Sequence, residues 1–203
     1  MLDRFLDWLT QLPAPATYGV LMALSAVENV FPPVPADVAV ALGAFLAQRG
    51  EISAVPLGVL CWLANTSSSA ALYFLARRHA QVFRTGWGRR LLPPRTLAAI
   101  QRAYDRYGVA GIFVSRFLPG FRAGVTPFAG VVGMSPGKAL VPSASASAVW
   151  YALLITAGSA LGLSWDGIKA FLATANRALA LAAVAALAVV GVWLWRSARR
   201  PEG

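Results

Sequence analysis

Two carboxylates and two guanidinium groups stand out because of where they lie. Glu28 and Asp37 sit in an apolar, proline-broken stretch near the N-terminus, and Arg116 and Arg122 sit in a second such stretch in the other half of the chain. An ionisable side chain at bilayer depth costs at least about 2–3 kcal/mol, so such groups are rare, need partners and mark ion or substrate pathways. A guanidinium stays charged at any relevant pH and offers a planar fork of donors that matches a phosphate. A carboxyl can take up and release a proton. The four residues therefore mark an ion or substrate pathway, with bases suited to a phosphate and acids able to exchange a proton.

That chemistry presupposes a membrane, and the composition supplies one. Hydrophobic residues make up 58% and charged residues 13%, with a mean hydropathy of +0.61; ordinary soluble domains carry roughly 25% charged residues. Across 203 residues there is room for about four or five membrane elements at ~20 residues per full span, and none for a separate soluble domain. The expected architecture is an all-α integral membrane protein forming one polytopic domain. The net charge of +10 is explained by topology rather than by nucleic acid, since the arginines lie between hydrophobic segments. Eight arginines and one acid, Asp105, fall between Arg77 and Arg106, and Arg196, Arg199 and Arg200 close the chain. The positive-inside rule places both regions in the cytoplasm.

The elements that must position the four charges follow from the apolar runs and their breaks. Residues 1–14 read as an amphipathic interfacial helix, with Asp3 and Asp7 arguing against a signal peptide. Residues 16–48 are apolar but interrupted by Pro32, Pro33 and Pro35, which no α-helix can accommodate together. Irregular backbone at membrane depth survives only if buried in protein or lining a wet cavity, so this segment is expected to be a re-entrant hairpin. Residues 53–76 form a full span whose run Asn65-Thr66-Ser67-Ser68-Ser69 reads as a small-residue packing face. A basic interfacial segment, 77–106, includes a Pro93-Pro94 break and the single histidine, His79. Residues 107–135 form a second interrupted stretch, broken at Pro119, Gly120 and Gly124 and resuming through Gly130. Spans at 139–161 and 169–195 and a cytoplasmic tail, 196–203, complete the chain.

With the basic segment cytoplasmic, the second hairpin enters from the cytoplasm and the first from outside, which makes the two halves inverted copies. Paired, interrupted short segments in corresponding halves point to the substrate site of a secondary transporter, with coupling groups near the midplane.

The run Glu28-Asn29-Val30-Phe31-Pro32-Pro33-Val34-Pro35-Ala36-Asp37 resembles the first signature of the DedA family, also called VTT or SNARE-associated membrane proteins. Phe113-Val114-Ser115-Arg116-Phe117-Leu118-Pro119-Gly120-Phe121-Arg122, followed by Ala129-Gly130 and Met134, resembles the second. The resemblance spans residues 18 to 160. It implies two opposed re-entrant hairpins and action on lipids: movement of undecaprenyl phosphate or phosphatidylethanolamine across the bacterial cytoplasmic membrane, driven by protons or sodium. On that resemblance Glu28 and Asp37 are the cation-coupling acids, Arg116 and Arg122 hold the phosphate headgroup, and Pro32, Pro33, Pro35, Pro119, Gly120 and Gly130 shape the hairpins.

Other functions leave weaker traces. One histidine and one cysteine, Cys61, provide neither a histidine-paired metal site nor a thiol pair, so no enzyme, metal or cofactor is expected. A passive scramblase, or an envelope-assembly factor whose charges only pin the fold, remains an alternative. Small-residue faces permit a homodimer.

Overall fold

A computed structural model describes residues 2–31, 36–84, 94–117 and 122–159, together with Gly167, Ala170 and Thr174. All regular structure among these residues is helical: α1 (Leu2–Thr10), α2 (Ala14–Val27), α3 (Ala36–Gln48), α4 (Ala54–Arg78), α5 (Ala80–Arg84), α6 (Pro94–Ser115), α7 (Arg122–Val131) and α8 (Pro136–Ser159). α6 and α8 each begin on a proline, whose missing N–H and fixed φ suit a first helical turn. The expected span 169–195, the cytoplasmic tail and the Pro93 break lie outside the described residues.

Two helices, Ala54–Arg78 and the stretch Pro136–Gly158, are long and apolar enough to cross a membrane. Along α4 the buried residues are Leu57, Cys61, Asn65, Ser69 and Tyr73, one every four residues, which is a single stripe down one face. Its other faces display Val55, Val59, Leu63, Phe74 and Leu75. A helix apolar on its exposed faces and partly polar on its buried stripe is suited to lipid outside and a polar interior.

The helices repeat. α2–α3–α4 and α6–α7–α8 are each two helices flanking a break and then a long helix, and their packing partners correspond. α2 packs on α4 as α6 packs on α8; α3 packs on α8 as α7 packs on α4; and α4 and α8 pack on each other. The caps correspond as well. Gly50 (φ 78°) ends α3 with its N–H bonded to Ala47 O at 3.1 Å and that of Glu51 to Leu46 O at 3.1 Å. Gly133 (φ 82°) ends α7 with its N–H bonded to Gly130 O at 3.1 Å and that of Met134 to Ala129 O at 3.0 Å. Both are Schellman caps, which place a left-handed residue just past the helix. Gly108 (φ 49°, ψ −131°) kinks α6, separating the basic part of that helix from the apolar part that carries Phe113 and Ser115.

Two apolar cores result. The larger joins Leu9 of α1 to Leu21, Val40, Leu42, Leu46, Leu57, Cys61 and Leu154; the smaller joins Tyr73, Ile112, Ala129 and Ala139. α1 thus has its Leu9 side chain in the core while Asp7 and Trp8 remain exposed, as its amphipathic sequence requires. Along α4 the polar residues Asn65 and Ser69 lie between Cys61 of the first core and Tyr73 of the second. Along α8, Ser143 and Ser147 lie between Ala139 and Leu154. A polar layer separates the cores.

Candidate functional site

Asn65 is the twelfth of the 25 residues of α4, and Ser147 the twelfth of the 24 residues of α8. Both therefore stand at mid-height of helices roughly 36–38 Å long at 1.5 Å per residue. Glu28 is the C-terminal cap of α2, with its N–H bonded to Leu24 O at 3.1 Å. Arg116 follows the last residue of α6, so it occupies in the second repeat the place that Glu28 holds in the first. Asp37 is the second residue of α3, and Arg122 is the first of α7. Acids in one repeat and bases in the other thus occupy corresponding places at the helix breaks.

Glu28, Asn29, Asp37, Asn65, Arg116, Ser147, Trp150 and Tyr151 line one cavity of about 20 Å³. The fold therefore brings Glu28, Asp37 and Arg116 together. Glu28 is 4% and Arg116 5% exposed. The side chain of Arg122 lies outside the described residues, as do Pro32, Pro33, Pro35, Pro119 and Gly120. Gly130 lies within α7, away from the cavity, where a Cβ would run into the carbonyl oxygen of Tyr73 and come within 3.2 Å of the Arg77 backbone nitrogen. Its visible role is the close approach of α7 to α4.

Arg116 donates to a set of neutral oxygens. Its Nε donates to Ser147 Oγ at 3.1 Å and its Nη2 to the same oxygen at 2.8 Å. Nη2 also donates to Asn65 Oδ1 at 2.9 Å, and Nη1 to Asn29 Oδ1 at 3.4 Å. The acceptors are themselves fixed. Asn65 Nδ2 donates to Ser25 O at 3.1 Å; Asn29 Nδ2 donates to Asn65 O at 2.9 Å and to Ser68 Oγ at 2.7 Å. Oriented amides and hydroxyls thus contribute to solvating the buried cation. Asp37 Oδ1 accepts a hydrogen bond from Trp150 Nε1 at 2.9 Å.

Asn65, Ser147, Asn29 and Trp150 are site residues that the sequence reading passed over. Asn65 and the serines after it read as packing residues, yet an amide at the centre of an apolar span was a signal that could have found the first of them. Ser147, in the run Ser143-Ala144-Ser145-Ala146-Ser147, carries no comparable mark. His79 stands apart from the site, capping α4 with its backbone N–H on Leu75 O at 3.0 Å and its Nδ1 3.0 Å from the same oxygen.

Glu28, Asp37 and Arg116, which come from the two sequence signatures, share this cavity. Residues 34–160 match the VTT domain. The chain belongs to the VTT domain (DedA) family. It is 22% identical over 200 residues to undecaprenyl phosphate transporter A of Bacillus subtilis, covering 98% of this chain and 96% of that one. It is 26% identical to the protein of the same name from Staphylococcus aureus, over 79% and 81% of the two chains. It is also 27% identical to a protein of Lactococcus lactis named alkaline phosphatase-like protein, over 76% and 75%. No solved structure matches the chain. Membership of this VTT domain family, with two helices of membrane-crossing length and composition, establishes a membrane protein of a transport-associated family.

Proposed function

We propose that this VTT domain protein is a carrier that moves a phosphate-bearing lipid across the bacterial cytoplasmic membrane, coupled to protons or sodium through Glu28 and Asp37. The observation that carries the reading is the single cavity shared by Glu28, Asp37 and Arg116, at mid-height of the two long helices. In this reading α2–α3 and the apolar part of α6 with α7 are the opposed re-entrant hairpins, and Arg122, opening α7, joins Arg116 in holding the headgroup. The names of the two transporter relatives support undecaprenyl phosphate as the substrate.

A cavity of about 20 Å³ has room for about one water molecule, much less than a phosphate headgroup occupies. Headgroup entry then requires the helices that line this cavity to move apart, and one coordinated exchange follows. Protonated acids leave the arginines to the phosphate. Ionised acids compete for them and help to release it. The neutral acceptors on Asn29, Asn65 and Ser147 hold Arg116 in place in both conditions.

The test is reconstitution of the full chain into liposomes carrying radiolabelled undecaprenyl phosphate. Outer-leaflet lipid is read by its hydrolysis with an added membrane-impermeant phosphatase, with and without an imposed pH gradient. Gradient-driven movement is expected, and Arg116→Lys should slow it at least tenfold, because lysine lacks the planar fork. Movement at the same rate without any ion gradient would establish a passive scramblase instead. Phosphate released before the phosphatase is added would favour the hydrolase suggested by the name of the Lactococcus relative. No movement at all would end the carrier reading.

A further inference from the structure

Trp150 lines the cavity from α8 and makes two contacts that point in opposite directions. Its indole N–H donates to Asp37 Oδ1 at 2.9 Å, which ties α8 to the start of α3. Its ring meets that of Phe117 edge to face, with centroids 6.1 Å apart and planes at 82°. Phe117 is the residue after Arg116, and its own ring lies 5.5 Å from that of Phe113 on α6. One side chain therefore spans from the acid at one helix break to the arginine-bearing break of the other repeat.

We propose that Trp150 is a positioning residue that makes the ionisation state of Asp37 felt at the break carrying Arg116; the proposal rests on the carrier reading above. An indole N–H can donate but never accept. It bonds an ionised carboxylate strongly and a protonated acid weakly, so it distinguishes the two states without being able to take the proton itself. When Asp37 is ionised the indole is held toward α3. When Asp37 is protonated that hold slackens, and the ring is free to shift against Phe117, whose backbone adjoins Arg116. The other groups facing this pair are Glu28 at the end of α2, Arg116 beyond α6 and Tyr151 beside it on α8, while α4 contributes the amide of Asn65.

The chain contains its own control. Trp62 of α4 donates its indole N–H to Ala144 O of α8, also at 2.9 Å, but does not line the cavity. Trp150→Phe and Trp62→Phe each remove one indole hydrogen bond and keep an aromatic ring. The experiment measures the undecaprenyl phosphate movement described above across pH 5–9, together with thermal unfolding, for wild type and both variants. Because a carboxylate that loses a donor accepts a proton more readily, the midpoint of the Trp150→Phe profile should move to higher pH by about one unit. The midpoint for Trp62→Phe should stay where the wild type has it. An unmoved midpoint in Trp150→Phe, a uniform loss of rate at every pH, or an equal shift in Trp62→Phe would each overturn the proposal. If Trp150→Phe does not fold, benzothienylalanine at position 150, which keeps the indole shape without the N–H, decides the matter by the same criterion. Movement by the wild type that is the same at every pH would refute proton coupling through Asp37, and this inference with it, and no movement at all would refute the carrier reading.

Discussion

Arg116 contributes a charge that the surrounding residues solvate, and the worth of each acceptor can be ordered from the geometry. Asn65 has two short attachments to lose, besides a longer one from Ser147 Oγ to its Oδ1 at 3.5 Å. Asn65→Ala removes the Oδ1 acceptor 2.9 Å from Arg116 Nη2 and the Nδ2 donor 3.1 Å from Ser25 O. The expected cost is about 2–4 kcal/mol, one hydrogen bond to a charged group and one neutral one, read as a lower melting temperature in detergent. Ser147→Ala takes one oxygen from two donors of the same guanidinium and should cost about 1–3 kcal/mol. Both variants should lower transport further than their stability loss accounts for, since Arg116 is no longer held toward the cavity. Asp37→Asn tests the acid: the amide cannot ionise, so any remaining lipid movement should no longer respond to an imposed pH gradient. The sequence marked Arg116, Glu28 and Asp37 because a charge in an apolar run is legible wherever it points. It could not mark Ser147, because a serine in a run of alternating serine and alanine has no signal until the opposite helix is in place.

At the level of helices, the packing is set by small residues at close approaches and by glycine caps at the turns. Gly130 brings α7 against the backbone of α4, and Gly158 brings α8 against α3, where a Cβ would lie 2.5 Å from that of Ala44. Gly130→Ala must push α7 away from Tyr73 O, at an expected cost of about 1–3 kcal/mol. The two Schellman glycines offer a sharper test of the internal repeat. An alanine forced into the left-handed region costs roughly 1–2 kcal/mol, and nothing lies within 4 Å of the Cβ position at Gly50 or Gly133. Gly50→Ala and Gly133→Ala should therefore destabilise by nearly equal amounts, and a clear inequality would show that the corresponding turns are not energetically equivalent. The start of α4 after Ser53 is where the sequence suggests it, whereas Gly124, read as a break, lies inside α7, and α8 begins at Pro136, ahead of the expected 139. The corresponding pairings, α3 with α8 and α7 with α4, were not legible from sequence, since they join segments distant in sequence.

For the molecule as a whole, polarity is layered. Two apolar cores flank a polar band at mid-height, and exposed arginines, among them Arg77, Arg78, Arg102 and Arg106, cluster at one stretch of the chain. If that stretch is cytoplasmic, Arg102→Cys should react with a membrane-impermeant maleimide in inside-out vesicles and not in intact cells. The native Cys61 is fully buried, so it should stay silent in both preparations and needs no replacement. Labelling in intact cells would reverse the topology inferred from the positive charges.

Composition and charge placement determined by themselves that this chain is an all-helical membrane protein with interrupted segments and four charges worth explaining. The cause is local: hydrocarbon tolerates neither an unpaired charge nor a proline-broken helix without compensation, so both show in a linear string. Only the folded chain decided which side chains answer those charges. Asn65 from one long helix, Ser147 and Trp150 from the other and Asn29 beside Glu28 converge because two repeats pack across each other, and that convergence depends on helix faces and close contacts between segments far apart in sequence.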